Sequence, residues 1–205
     1  MNELVKMVVV LTILSASSGL ILASVRDKTL DQIKFQQLVN EKAPAIKKIL
    51  GDTSNDPLTS KFEISEGKAP IEFFVGSYGG DPNTVVFETF GTGFDGKIGL
   101  MVGVNLENDQ IKGIGVTTHS ETPGIGSRAK TEPAFAAQFA GMDLNNSFKV
   151  KTDGGKVDAL SGATYTSRGV CMAATNASEI YKRLKPQLIE KAKTASNKPA
   201  PKEKE

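Results

Sequence analysis

The sequence predicts an α+β protein: one N-terminal transmembrane helix, then a compact domain of antiparallel sheet and packed helices. Three observations predict it. An uncharged apolar run lies near the N-terminus, short β-type runs punctuated by glycine fill the middle, and a long stretch of helical period lies near the end.

Residues 1–6 form a short polar tail. Between Lys6 and Arg26 lie 19 residues, MVVVLTILSASSGLILASV, without a charge. At 1.5 Å rise per residue they span roughly 28 Å, close to the hydrocarbon thickness of a bilayer, so 7–25 reads as the transmembrane helix. A buried core helix would carry a polar face, whereas this run offers only small hydroxylated residues and one glycine. A cleaved signal peptide is the stronger rival, because Ala23-Ser24-Val25 lies near the end of the run. The run is long for a signal sequence, which favours an uncleaved anchor. Lys6 before it and Arg26 and Lys28 after it leave the positive-inside rule silent on orientation.

Residues 26–54 read as a helical linker in which Leu30, Ile33, Leu38, Ile46, Ile49 and Leu50 recur at loosely helical spacing. Pro44 breaks it in two, and the polar stretch 51–60 is a loop. The folded domain spans 55–190. Its first part holds KFEIS, IEFFVG, TVVFETF, KIGLMVGVNL and IKGIGVTTH, with Ile98, Leu100, Val102 and Val104 alternating. Turn residues 107–110 make 97–118 a β-hairpin. EPAFAAQFAGM (132–142) predicts a short helix, FKVKT (148–152) a short strand and DGGK (153–156) a turn. Val170, Ala173, Ala174, Ala177, Ile180 and Leu184 predict a helix from Ser167 to about Ile189, kinked or ended early by Pro186. The charged segment 191–205 reads as a disordered tail.

Composition narrows the chemistry. Lys and Arg total 25 against 23 Asp and Glu, a balance that gives no support to a nucleic-acid-binding face. One His (His119) and one Cys (Cys171) exclude a His-rich zinc site, an iron–sulfur cluster and an internal disulfide. No metal site and no catalytic residue is predicted. Hydroxyls, carboxylates and backbone amides must act, or a cofactor must.

Three segments could carry chemistry. In Asp158-Ala-Leu-Ser161-Gly162-Ala163-Thr164-Tyr165-Thr166-Ser167, hydroxyls cluster at a helix N-terminus, whose free amides favour an anion such as phosphate. The plainer reading makes Thr166 or Ser167 a helix cap and Gly162 a turn. In His119-Ser-Glu121-Thr122-Pro123-Gly124, the Pro-Gly pair fits a type II turn that could present Glu121 and Thr122 to a ligand; a polar loop without function is the alternative. In Gly91-Thr-Gly93-Phe94-Asp95-Gly96, the glycines imitate a phosphate loop, but no Gly-Lys-Ser/Thr follows. They suit a bent strand or close approach to a planar ligand.

Taken together, DALSGAT (158–164), HSETPGIG (119–126) and GTGFDGKIGLMVGV (91–104) resemble the recurrent segments of the FMN-binding domain family. Within it the likeness is to the G subunits of Rnf-type ferredoxin:NAD ion-translocating oxidoreductase complexes, homologous to the C subunits of the sodium-translocating NADH:quinone reductase. It covers roughly residues 5–185. The resemblance implies that Thr164 carries FMN through a phosphoester bond, attached by a flavin transferase that uses FAD and magnesium and recognises Asp158. It further implies that the FMN domain lies on the periplasmic, extracytoplasmic side of the cell (inner) membrane, with lipid around the anchor and the other proteins of the complex as redox partners. The residues agree on one point: no His or Lys adjoins Thr164 to activate its weakly nucleophilic hydroxyl. The expected cofactor-binding residues are Thr164, Ser161, Gly162, Ala163, Asp158, Tyr165, Glu121, Thr122, Gly124 and Phe94. The expected role is an electron relay that is not an enzyme alone. The alternatives are the C subunit of the quinone reductase, a stand-alone FMN-dependent reductase, or an anchor protein without cofactor.

Overall fold

The computed structural model describes residues 2–66 and 69–196. The chain divides into two compact units, 1–40 and 41–205. The first is helix α1 (Glu3–Gln37) and the start of a π-helical turn, Leu38–Lys42. Within α1, Glu3–Leu30 is long and apolar enough to cross a membrane: its most apolar 18-residue window has a mean hydropathy of 2.2, and none of that window is buried within the protein. Three of its hydroxyls bond back to the helix: Thr12 and Ser24 donate to the carbonyls of Val8 and Leu20, and Ser17 to that of Leu14. Such bonding removes the cost of exposing a lone hydroxyl to hydrocarbon.

The second unit opens with α2 (Ala43–Leu50), where Pro44 occupies the first turn. There its missing N–H costs nothing, so the break expected at Pro44 is a helix start. Five antiparallel strands follow as a meander in sequence order: β1 (Lys61–Glu66), β2 (Ala69–Tyr78), β3 (Asp81–Thr92), β4 (Lys97–Asn105) and β5 (Gln110–Val116). The expected α+β architecture is therefore present. Beyond the sheet lie α3 (Arg128–Thr131), α4 (Pro133–Ala137), a 3-10 turn (Lys151–Asp153) and α5 (Thr164–Ser196).

The sheet is covered on both sides, and β4 is accordingly buried at almost every position. One side holds the main core, with Phe73, Val75, Val85, Phe87, Leu100 and Val102 gathered against the α5 stripe of Val170, Ala173, Ala174, Ala177, Tyr181 and Leu184. The other side takes Ile46, Ile49 and Leu50 of α2. A Cβ on Gly103 would stand 2.3 Å from Ile49 Cγ2, so α2 sits closer than a sheet with a side chain at that position would allow.

Helix α5 crosses β3 more closely still. A Cβ on Gly91 would fall 1.9 Å from the carbonyl oxygen of Gly169, and one on Gly169 would fall 2.7 Å from that of Thr92. Backbone rests on backbone here. Thr89 donates its hydroxyl to the Ala173 carbonyl and Asn176 its amide to the Phe90 carbonyl, which fixes the register of the crossing.

Five local expectations need correction. Helix α5 begins at Thr164 rather than Ser167, because the Ala163 carbonyl already accepts the Ser167 N–H. It passes through Pro186, whose exposed position leaves the freed carbonyl on the solvent side. It continues to Ser196, since Ala192 and Ala195 extend the buried stripe into the segment expected to be disordered; 197–205 lie outside the described residues. Segment 148–152 is not a strand. Phe148 and Val150 are buried, which produces the alternation, but pairing amounts to one parallel bridge between Val150 and Val157. The helix expected over 132–142 shrinks to α4, because Gly141 and Met142 turn to exchange hydrogen bonds with Ile111 on the edge of β5.

A clasp at the far end of α5 holds the hairpin tip. Asp109 adopts a left-handed φ of 58° and accepts hydrogen bonds from Tyr181 Oη (2.6 Å) and Lys185 Nζ (2.7 Å). The Lys185 ammonium, then the Tyr181 hydroxyl, hold the Asp109 carboxyl below its usual range. A depressed carboxylate stabilises the fold above its ordinary value near 3.8, and that contribution disappears as pH falls through the lower folded value. Acid unfolding followed by circular dichroism should therefore be less steep for Asp109→Asn than for wild type below about pH 4; coincident profiles would dismiss the clasp. Gly91→Ala should destabilise the domain by at least about 3 kcal/mol in urea unfolding, since neither backbone can yield. A loss below about 1 kcal/mol would show that the crossing relaxes.

Candidate functional site

The N-terminal end of α5 meets two loops. The first is the β3–β4 connection, closed by a Gly93 N–H to Gly96 carbonyl bond of 2.7 Å, with Phe94 at its tip 69% exposed. The second follows β5. There the Thr122 carbonyl accepts the Ile125 N–H at 3.2 Å and Gly124 takes φ +74°, the hydrogen bond and dihedral of the expected type II turn. The Gly124 N–H donates to Ser127 Oγ. Gly162, at φ +76°, turns the chain into α5.

Between these elements lies a cleft of about 230 Å³ lined by Phe94, Glu121, Thr122, Ile125, Gly126 and the run 162–166. Clefts that enclose an organic ligand whole are typically about 300–1,000 Å³, so a ligand the size of a flavin nucleotide would extend along the rim. That rim is apolar. Phe94 and Tyr165 stand 6.1 Å apart between ring centroids at a tilt of 56°, and Ile125 is half exposed.

The hydroxyls of the α5 terminus divide into two kinds. Thr166 and Ser167 are buried and committed: Thr166 Oγ1 donates to Glu121 Oε2, while Ser167 Oγ donates to the Ala163 carbonyl and accepts the Leu160 N–H. Neither caps the helix. Thr164 is half-buried on the cleft wall, and among the described residues its hydroxyl has no hydrogen-bond partner. The amides of Thr164, Tyr165 and Thr166 precede the first intrahelical donor, the Ser167 N–H, and have no partner among the described residues, as at any helix start. Arg168, in the same turn, is already held by Asp153 through two bonds of 2.7 Å.

Glu121 ties the site together. It is 5% exposed; Oε1 accepts the Asp95 N–H and Oε2 the Thr166 hydroxyl, so one side chain joins the β3–β4 turn to α5. Thr122 adds a bond from Oγ1 to Asp95 Oδ2.

Seven of the ten residues expected from sequence line the cleft: Phe94, Glu121, Thr122, Gly162, Ala163, Thr164 and Tyr165. Gly124, Ser161 and Asp158 do not. Gly124 shapes its turn, Ser161 offers its carbonyl to Arg128 Nη1, and Asp158 pairs with Lys151 at 2.7 Å while Gln138 bonds its backbone on both sides. Sequence reasoning omits Ile125, Gly126 and Thr166. Ile125 carries a signal, an apolar residue directly after a Pro-Gly turn, whereas Gly126 is needed only because Glu121 and Thr166 crowd the space its Cβ would take.

Known proteins match this arrangement. A family described as FMN-binding domain matches residues 93–179, which contain every segment of the cleft. The G subunit of an ion-translocating oxidoreductase complex from Methanosarcina acetivorans is 33% identical over 86% of this chain and 93% of its own length. Its counterpart from Cereibacter sphaeroides is 30% identical over 87% and 84%. Among solved structures, the crystal structure of Shewanella oneidensis NqrC superposes with a TM-score of 0.51 at 27% identity, covering 73% of each chain. With a cleft built inside the matched segment and relatives aligned along nearly their whole length, the chain belongs to the G subunits of ion-translocating oxidoreductase complexes and carries their FMN-binding domain.

Proposed function

We propose that this chain is a membrane-anchored electron carrier whose FMN is bound covalently, through its phosphate, to Thr164. One observation carries the reading: among the Ser and Thr hydroxyls of this segment, that of Thr164 alone combines a place on the cleft wall with freedom from any hydrogen bond among the described residues. The residues present fit the group. Free amides at the start of a 33-residue helix suit a phosphate, and the exposed Phe94, Tyr165 and Ile125 suit a flat aromatic ring. Gly126 and Gly162 leave the walls low. When bound, FMN supplies reversible electron uptake, and the chain's residues hold it in place.

Attachment needs outside help. In the reaction inferred, Thr164 Oγ1 forms a bond to the FMN phosphorus of FAD, the pyrophosphate linkage breaks, and AMP leaves. The hydroxyl proton passes to a base on the transferase, because no His or Lys adjoins Thr164. Asp158, exposed and away from the cleft, is available to that enzyme rather than to the flavin.

We take the redox partners to be other proteins of the complex; the relatives' names make those proteins subunits of such a complex. The C subunit of the quinone reductase remains the homologous alternative, and the likeness to NqrC fits that kinship. Alignment over 93% of the Methanosarcina G subunit favours the first reading. The α1 helix supplies the membrane association. We place the domain outside the cytoplasm, where a cofactor held covalently is not lost by dilution.

Thr164→Ala should fold as wild type and lose in-gel flavin fluorescence under denaturing conditions, since even a lost helix cap costs only about 0.5–2 kcal/mol. Flavin retained on the variant would refute the attachment site. For topology, Glu107→Cys offers an exposed thiol at the hairpin tip. Native Cys171 stays silent because burial pushes its thiol up to about 12, leaving no reactive thiolate. In intact cells the Glu107→Cys variant should react with a membrane-impermeant thiol reagent while wild type does not; labelling only after lysis would place the domain inside.

A further inference from the structure

Bracing two loops does not account for the charge on Glu121. Both of its partners are neutral donors, the Asp95 N–H at 3.2 Å and the Thr166 hydroxyl at 2.5 Å. Among the described residues no Lys or Arg forms an ion pair with it. A glutamine of the same shape would serve both contacts, its Oε1 accepting from Asp95 and its Nε2 donating to Thr166 Oγ1. A buried carboxylate without a cation is costly, so a brace alone would be built more cheaply from the amide.

The surroundings hold this carboxylate in one place. Gly93 lies on one side, where a Cβ would stand 2.3 Å from Glu121 Oε1, and Gly126 on the other, where a Cβ would stand 2.7 Å from Glu121 Cβ. The side chain is 5% exposed and lines the same cleft as Thr164. The result is a fixed negative charge in a poorly solvated wall, where its field is screened far less than in water.

We infer that Glu121 is a positioning residue whose charge also lowers the reduction potential of the flavin held at Thr164. This rests on the flavin reading above. When a reduced donor passes one electron to the flavin, no bond in the protein forms or breaks and the cleft gains one negative charge. The Glu121 carboxylate opposes that gain. Thr166 tempers the effect by donating a hydrogen bond to the same carboxylate.

The test is a redox titration of the full-length, membrane-extracted protein carrying its native flavin, with dithionite as reductant and absorbance as readout. Flavin content is measured alongside by denaturing-gel fluorescence. Glu121→Gln should shift the midpoint potential upward with flavin content unchanged. Thr166→Val, which strips a donor from the carboxylate and leaves the charge, should shift it downward. A structural role would not produce shifts of opposite sign. An unchanged or lowered potential in Glu121→Gln would overturn the inference. Should Glu121→Gln fail to load flavin, Thr166→Val decides: a downward shift supports the charge, and an unchanged or raised potential defeats it. Loss of flavin from both variants would assign Glu121 to the scaffold and likewise overturn it. Wild-type protein without flavin on Thr164 would instead sink the electron-carrier reading on which the inference stands.

Discussion

The backbone-on-backbone crossing of α5 over β3 is the constraint on which the rest of the domain depends. Gly91 and Gly169 bring a strand and a helix to a separation that no side chain would permit. Since β3 continues into the turn bearing Phe94, and α5 begins about one and a half turns before Gly169, the crossing sets how far Phe94 stands from Tyr165 and Thr164. The alanines at 173, 174 and 177 extend the close approach along the sheet. Apolar burial drives the packing, but the missing Cβ atoms set its distance.

From that crossing the site is assembled by short polar ties. Glu121 spans the two loops, Ser167 staples the preceding turn to α5, and Gln138 and Arg128 hold the backbone of 158 and 161 from the side. Each tie consumes a polar group that would otherwise be stranded in a partly buried loop. What remains uncommitted is informative for the same reason. A hydroxyl and three amides left free on one cleft wall, beside exposed aromatic rings, make a surface that suits a ligand rather than a packed junction.

Much of this is legible in the sequence, and the failures share a cause. Alternation in 98–104 and the period of Val170, Ala173, Ala177 and Leu184 report burial, and where burial coincides with regular structure the pattern names the element correctly. Phe148 and Val150 show the same alternation without a strand, because they bury their side chains from a loop whose pairing ends at the single bridge between Val150 and Val157. Pro186 reads as a helix kink or an early end, but only its exposure, a tertiary property, tells that the lost hydrogen bond faces water and the helix runs on. At the site, motifs locate the cleft's three walls, yet which hydroxyl is free and which is spent depends on contacts across 45 residues, such as Thr166 to Glu121. No local pattern encodes that.

The central claim is that Thr164 carries the flavin, and peptide mass mapping of the protein purified from its own membranes tests it most directly. The account predicts that the peptide containing residues 158–164 is heavier by FMN less one water, with fragmentation placing the added mass on Thr164. An unmodified peptide, or the same mass on Ser161 or Thr166, would contradict it.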